Sequence, residues 1–125
     1  MAKILLVDDS PLLLRIEKSL LEQAHHTVVT AKNGREALVL AEKATPQVIF
    51  MDAEMPEMDG PTACRALKQN PATKAIPVYI CTGQDADGDR KQEFGQSGAD
   101  GFVPKPFHIE DLLPLIAKAT GTPAP

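Results

Sequence analysis

The sequence predicts an α/β fold in three layers, a doubly wound parallel sheet of five strands flanked by five helices. The first observation behind this prediction is the uncharged run 48–51, which lies between Pro46 and a loop containing Pro and Gly and is typical of a strand buried on both faces. The second is the alternation of such runs with segments of helical spacing. We expect residues 1–125 to form one domain, with a core over 3–120 and a flexible C-terminal end at 121–125.

The predicted strands share short length and a composition of apolar or β-branched residues. Turn-forming residues or a polar side chain follow each of them. The predicted strands are residues 4–7, 27–31, 48–52, 76–81 and 100–103.

The first predicted helix begins at a Ser-Pro pair. Ser10 is a favoured N-cap residue, and Pro11 is tolerated at the first helical position because its missing N–H would be unpaired there anyway. Leu13, Ile16 and Leu20 then recur at helical spacing. We therefore expect a helix that ends near residue 23.

Capping signals predict the later helices. Asn33 followed by Glu36 resembles a capping box, and Asp59 precedes Gly60 at the start of the third helix. Pro114 must lie in the first turn of the last helix or kink it, because its nitrogen cannot donate a hydrogen bond. The helices predicted after the first cover about 34–44, 60–70, 89–96 and 109–119.

Polar side chains follow four of the predicted strands. Asp8 and Asp9 follow the first, Asp52 ends the third, Thr82 follows the fourth, and Lys105 comes just after the fifth. Taken singly, Asp52 could cap a loop and Lys105 could be an exposed surface lysine. Because ligands bind at the carboxyl ends of strands in open parallel sheets, we expect the whole set to meet in one site.

Together with Met55–Pro56, Asp59–Gly60 and residues 105–107, this set resembles the receiver domain of two-component response regulators. The resemblance extends from about residue 3 to residue 120, with every motif in the family's order. It implies a flavodoxin-like fold with strand order 2-1-3-4-5. It also implies that a phosphoryl group is accepted on Asp52 in the presence of Mg²⁺, with Mn²⁺ as an alternative.

The resemblance also implies a metal site. By the family pattern, Asp9 and Asp52 are direct ligands, Asp8 holds a metal-bound water, and the backbone carbonyl of Glu54 completes the set. The cation is needed because a carboxylate attacks an anionic phosphoryl group only when the charges are partly neutralised. Without the cation, we expect the clustered carboxylates to raise one another's pKa values.

Further roles follow from the same resemblance. Lys105 and the hydroxyl of Thr82 contact phosphoryl oxygens, and the bond from Lys105 to the next residue is cis. Without the resemblance, Phe102 would be expected in the core. The resemblance instead implies that Phe102 is the aromatic residue whose side chain changes position as part of the switch. Glu54 and Gln84 flank the path of the attacking water and modulate the lifetime of the phosphoryl group.

The function implied is that of a phosphoacceptor signalling domain and not of an enzyme. A histidine kinase or a histidine phosphotransfer protein donates the phosphoryl group, and a downstream protein binds the face formed by residues 84–96, 100–103 and the last helix. We expect a monomer, with a dimer formed on phosphorylation as the alternative.

Composition excludes several other classes. A net charge of −4 and a pI near 5.3 argue against nucleic-acid binding by this domain. No apolar stretch approaches the roughly 18 residues of a membrane span, and no signal peptide precedes the first strand. Cys64 and Cys81 lack the spacing of metal ligands, so we expect reduced thiols and a cytoplasmic location.

Three alternative readings remain open. The chain could be a receiver module of a longer regulator. It could be an aspartyl-phosphate phosphatase of the haloacid-dehalogenase type, although that family carries an Asp-x-Asp motif on its first strand whereas Asp8 and Asp9 are adjacent. Turnover of phosphate monoesters would identify that class. A flavodoxin-like flavin carrier needs a hydroxyl- and glycine-rich phosphate loop where this chain has Asp-Asp-Ser.

Overall fold

The computed structural model of the chain describes residues 2–83, 96–105 and 108–121. All strand pairs are parallel and the strand order is β2-β1-β3-β4-β5, which confirms the predicted fold class and order. The predicted helix over 89–96 lies outside the described residues except at its last position. The strands are β1 (Lys3–Val7), β2 (Thr27–Ala31), β3 (Val48–Asp52), β4 (Val78–Thr82) and β5 (Gly101–Pro104), and the helices of the described ranges are α1 (Pro11–Gln23), α2 (Gly34–Ala44), α3 (Gly60–Gln69) and α4 (Ile109–Thr120).

Two apolar layers cover the two faces of the sheet. Every residue of β3 and β4 is buried, as expected for central strands with helices on both sides. Alternate side chains of a strand point to opposite faces, so Ile49 and Met51 pack towards α2 and α3, whereas Val48 and Phe50 pack towards α1 and α4. The sheet is therefore the middle of three layers.

Helix α1 begins and ends as predicted, but its buried face is not the one formed by the predicted stripe. Leu14 and Leu21 are the buried residues of this helix. The predicted stripe lies outward: Leu13, Ile16 and Leu20 are 40%, 47% and 41% exposed. The spacing indicated a helix correctly, because a stripe has the same period on either face.

Strand β4 begins two residues later than predicted. The Ile76 carbonyl accepts a hydrogen bond from Lys68 Nζ at 2.8 Å, and Pro77 has no N–H to donate to a strand ladder. Both features limit pairing before Val78, where the Pro77 carbonyl accepts a hydrogen bond from the Ile49 N–H at 2.9 Å. The strand also ends one residue later than predicted, because Thr82 pairs with Pro104 of β5.

Pro114 lies in the interior of α4, beyond its first turn. Its nitrogen therefore cannot donate to the carbonyl four residues earlier. Of the two alternatives predicted for Pro114, the first turn is excluded, and a kink of the helix stays a prediction. The side chain of Pro114 is on the exposed face of the helix, away from the apolar layer that Leu112 and Ile116 join.

Within the described ranges, no helix is both long enough and apolar enough to cross a membrane.

Gly60 allows the start of α3 to lie against the end of β3. Its N–H donates to the Ala53 carbonyl at 3.1 Å. A Cβ at position 60 would collide with the carbonyl oxygen of Asp52 and lie 2.9 Å from Ala53 Cα. Both obstacles are backbone atoms, so a larger residue could fit only if the chain after β3 moved.

We predict that Gly60→Ala lowers the free energy of unfolding by roughly 1–3 kcal/mol, because overpacked sites relax only by backbone shifts. Gly83→Ala is the matched control, since a Cβ at Gly83 would meet Lys105 Cβ at an ordinary 3.8 Å. Urea denaturation of the two variants and the parent would measure the difference. Equal midpoints for both variants would contradict the close approach at Gly60.

Candidate functional site

Three carboxylates meet at the C-terminal edge of the sheet. Asp8 follows β1 directly, Asp52 ends β3, and Asp9 follows Asp8. One oxygen from each of the three lies within 4.8 Å of the others. Asp8 and Asp52 are buried and Asp9 is exposed, so the cluster opens to solvent on the side of Asp9.

Local hydrogen bonds fix the position of Asp8. Its N–H donates to the Ala31 carbonyl at 3.1 Å, which continues the pairing of β1 with β2 by one residue. The N–H of Ser10 donates to Asp8 Oδ1 at 2.9 Å, and the Ser10 hydroxyl then caps α1 by accepting from the Leu13 N–H at 3.3 Å. The turn that begins α1 thus also orients the Asp8 carboxylate.

The backbone on both sides of Asp52 is similarly held. The Ala53 N–H donates to the Cys81 carbonyl at 2.9 Å, so the pairing of β3 with β4 continues past Asp52. The Glu54 N–H points back to Asp52 Oδ1 at 3.4 Å, while the Glu54 side chain is exposed. Together with the close approach of Gly60, these contacts leave the Asp52 carboxylate at a fixed point of the sheet edge.

Lys105 neutralises two of the acids at once. Its Nζ lies 3.1 Å from Asp8 Oδ2 and 3.2 Å from Asp52 Oδ1. Its backbone N–H donates to the Thr82 carbonyl at 2.7 Å, which extends the pairing of β4 with β5. Thr82 is buried at the end of β4. The structure therefore brings together four of the side chains that the strand ends predicted, those of Asp8, Asp9, Asp52 and Lys105, and the backbone of Thr82 pairs with that of Lys105.

Burial is the largest single influence on the pKa values of Asp52 and Lys105. Burial raises the pKa of the Asp52 carboxyl; the Asp8 charge raises it further, whereas the charge and hydrogen bond of Lys105 and the Glu54 N–H oppose the rise. Burial by itself would lower the pKa of the Lys105 ammonium, but the charges of and hydrogen bonds to Asp52 and Asp8 outweigh it, so the pKa is raised. The expected mutual repulsion of carboxylates contributes at Asp52, but it is smaller than the effect of burial.

The donor set fits a small, hard divalent cation. Carboxylate oxygens are the ligands that Mg²⁺ prefers, and it usually keeps several waters besides one or two of them. Asp8, Asp9 and Asp52 offer three such oxygens in one place, and Lys105 alone does not balance their charge. The exposed side of the cluster, at Asp9, leaves room for waters.

The predicted switch residue and the predicted modulators are placed as follows. Phe102 lies on β5 beside Ile80 of β4 and is 43% exposed, so it belongs to the edge of the sheet and not to the core. Gln84 lies outside the described residues, as does the residue after Lys105 and with it the predicted cis bond. Of the predicted output face, the structure describes residues 100–103 and the last helix together with Gln96.

Glu17 is a residue of this site that the sequence did not reveal. It lies on α1 and lines a cavity of about 10 Å³ together with Asp8, Asp52 and Lys105. Burial raises the pKa of Glu17 to about 7; the Asp8 charge adds to the rise, and the Lys105 charge opposes it. The signal that could have found it is its place on the buried face of α1, three residues after Leu14.

Comparison with known proteins agrees with this geometry. The family model of the response regulator receiver domain matches residues 4–117. Protein PilH of Pseudomonas aeruginosa is 40% identical over 116 residues, which is 93% of this chain and 95% of PilH. Response regulator PleD of Caulobacter vibrioides is 42% identical over 112 residues, 90% of this chain, but the chain spans only 24% of the length of PleD.

Solved structures agree in the same way. Chemotaxis protein CheY4 of Vibrio cholerae superposes with a TM-score of 0.86 at 37% identity, covering 95% of this chain and 98% of that one. The receiver domain of the sensor histidine kinase PA1611 of Pseudomonas aeruginosa, solved with a magnesium ion coordinated in its active-site cleft, gives a TM-score of 0.87 at 25% identity, covering 97% of this chain and 98% of that one. With the acidic cluster, the lysine and the parallel sheet in place, this chain belongs to the family of response regulator receiver domains.

Proposed function

We propose that this chain is a stand-alone receiver that accepts a phosphoryl group on Asp52, with Mg²⁺ bound, and thereby changes its binding to a downstream protein. The observation that carries the proposal is the placement of Asp52. It ends the fully buried strand β3, belongs to a cluster of three carboxylates within 4.8 Å, and lies 3.2 Å from Lys105. The donor would be the phosphohistidine of a histidine kinase or of a histidine phosphotransfer protein.

The transfer step needs one free carboxylate oxygen. Within the described part of the chain, the Lys105 ammonium and the Glu54 N–H both contact Oδ1 of Asp52. Oδ2 is therefore the oxygen better placed to attack. It forms the new O–P bond while the P–N bond of the donor breaks, and the donor imidazole leaves with that electron pair. Lys105 then provides a point charge for a phosphoryl oxygen.

The metal requirement follows from charge. A bound Mg²⁺, or Mn²⁺ in its place, supplies the positive charge that lets a carboxylate approach an anionic phosphoryl group. Asp9 and Asp52 would hold it directly, with the Glu54 carbonyl, and Asp8 would hold it through a water. The magnesium ion in the active-site cleft of the PA1611 receiver domain supports a magnesium site at this edge of the sheet.

The remaining residues would transmit the phosphorylated state to the output face or affect how long the phosphoryl group persists. The Thr82 hydroxyl would bond a phosphoryl oxygen, and the exposed ring of Phe102 would move inward as Thr82 shifts. Glu54 and Gln84 would flank the path of the water that removes the phosphoryl group. The output face would be the one formed by residues 84–96, 100–103 and the last helix, α4.

The chain acts in this proposal as a phosphoacceptor and not as an enzyme that releases a product. PilH, which the chain matches over 95% of its length, is the precedent for a stand-alone receiver, and the chemotaxis protein CheY4 supports a role in signalling. A receiver module within a longer regulator, as in PleD, is the alternative.

We predict that Asp52 is the sole phosphoacceptor. After incubation with acetyl phosphate and Mg²⁺, intact-mass measurement should find one added phosphoryl group on the parent and none on Asp52→Ala. Both oxygens of Asp8 have partners, the Ser10 N–H and Lys105, whereas Lys105 and the Glu54 N–H both contact the same oxygen of Asp52, Oδ1. Glu42→Gln, a change to an exposed acid on α2, is the control and should label like the parent. Equal labelling of Asp52→Ala and the parent would refute the assignment.

We predict that Asp9→Asn weakens Mg²⁺ binding by roughly 10-fold or more and Asp8→Asn by a smaller factor. Both oxygens of Asp8 already have partners, Oδ1 with the Ser10 N–H and Oδ2 with Lys105, whereas Asp9 is exposed and open to the cation. Calorimetric titration of the two variants and the parent measures this order. The same affinity in all three proteins would remove Asp9 from the metal site.

We predict that Thr82→Ala still accepts the phosphoryl group but transmits less of its effect to the output face. Amide hydrogen exchange over residues 83–106, with and without beryllofluoride as an acyl-phosphate mimic, measures the transmission. Thr27→Ala, at the opposite end of the sheet, is the matched control. If Thr82→Ala responds to beryllofluoride as strongly as the parent does, Thr82 does not couple the two regions.

A further inference from the structure

Glu17 occupies a position where the fold would favour an apolar residue. It lies three residues after Leu14 and four before Leu21, the two buried residues of α1, and so shares their face. Its side chain is partly buried against the sheet. Acidic residues are seldom placed on such a face unless they are paired, because burial disfavours the charged form. The position therefore calls for a functional explanation.

The surroundings of Glu17 are polar and belong to the phosphoacceptor site. The cavity it lines is also lined by Asp8, Asp52 and Lys105, and its volume of about 10 Å³ is close to the space that one water molecule needs. Glu17 thus lies close to the ammonium and to two of the three clustered acids. Leu6, Val7, Phe50 and Cys81 complete the lining.

Within the described part of the chain, Glu17 lies near Lys105 without a partner of its own. Lys105 forms its ion pairs with Asp8 and Asp52. Among the residues that the structure describes, Glu17 forms no ion pair within 4.0 Å and no side-chain hydrogen bond. The raised pKa of Glu17 agrees with a carboxylate that is buried beside Asp8 and only weakly offset by the lysine.

A divalent cation and Lys105 draw on the same two carboxylates, those of Asp8 and Asp52. A cation held at the acidic cluster draws on Asp8 and Asp52, the two carboxylates that Lys105 now contacts. The ammonium must then lose at least part of its pairing. A partly buried ammonium left without an acidic partner is destabilised, and this penalty would weaken the binding of the cation.

We propose that Glu17 is a positioning residue that takes over the Lys105 ammonium when a divalent cation occupies the aspartates. This inference rests on the metal site of the proposed function and gives Lys105 a further carboxylate partner, Glu17, outside that site. The Glu17 carboxylate then pairs with the Lys105 ammonium in place of the aspartates that bind the cation. It also keeps the ammonium in the cavity beside Asp52, where a phosphoryl oxygen would meet it.

The test is the affinity for Mg²⁺ of the full chain, followed by amide chemical shifts during titration with MgCl₂. Glu17→Gln keeps the shape of the side chain and removes the charge. We expect the affinity to fall roughly 3- to 10-fold, as for the loss of one charge a few ångströms away in a partly buried site. Glu22→Gln, an exposed change on the same helix, is the matched control and should bind Mg²⁺ like the parent.

A double-mutant cycle with Lys105→Gln tests whether Glu17 affects Mg²⁺ binding through Lys105. Lys105→Gln alone should raise the affinity for Mg²⁺, because the competing ammonium is gone. In that background Glu17→Gln should change the affinity less than about 2-fold, since Glu17 no longer has an ammonium to receive. If Glu17→Gln weakens binding equally in both backgrounds, Glu17 acts on the cation itself and the proposal is wrong.

Thermal stability in EDTA separates this role from a structural one. Glu17→Leu should raise the melting temperature, because it replaces a partly buried acid by an apolar residue between Leu14 and Leu21, and it should still weaken Mg²⁺ binding. A lower melting temperature together with unchanged affinity would identify Glu17 as a structural residue and overturn the inference. If the parent itself binds no Mg²⁺, the metal site of the proposed function is wrong and the inference falls with it.

Discussion

The structure depends on holding three carboxylates within 4.8 Å of one another, and within the described ranges a single ammonium, that of Lys105, pairs with them. Parallel strands make this arrangement accessible, because their carboxyl ends meet at the same edge of the sheet. With β1 and β3 adjacent at the centre, Asp8 and Asp52 become neighbours, and β5 brings Lys105 across to both. The turn at Ser10 and the close approach of Gly60 also hold these carboxylates in place. Each fixes the chain just after the strand that carries an aspartate.

Such a cluster destabilises the fold locally, and the rest of the molecule offsets it. Burial raises the pKa of Asp52, which means that folding disfavours its charged form. The offset comes from two continuous apolar layers and from fully buried central strands, which are placed away from the charges. Natural proteins commonly break local rules at functional sites in this way. The acids of this edge are therefore best understood through binding, not through stability.

Most of the fold and the site could be predicted because their signals are local. Apolar runs that end in Asp, Thr or just before Lys indicate both a strand and the edge to which it delivers a polar group. The face of α1 could not be predicted in that way, because Leu13, Ile16 and Leu20 have the same helical period as Leu14 and Leu21. Only packing against the sheet decides between the two stripes. Glu17 was not predicted as a site residue because it lies on the stripe of Leu14 and Leu21. The late start of β4 could not be predicted locally either, since it involves Lys68, a residue of another element.

The backbone around the site limits how a phosphoryl group could act at a distance. Hydrogen bonds from the N–H groups of Asp8, Ala53 and Lys105 continue the strand ladders past the ends of β1, β3 and β5. A paired backbone of this kind resists displacement, whereas side chains at the edge can change partners. Lys105 pairs with two carboxylates of the sheet edge and lines one cavity with Glu17 of α1. The first response to a change of charge at Asp52 would therefore be a change of side-chain partners, while the paired backbone stays in place. From there it could reach the chain that follows β4, or the outer surface along α1, where Glu17 also borders a groove of about 360 Å³ with His108 and Ile109.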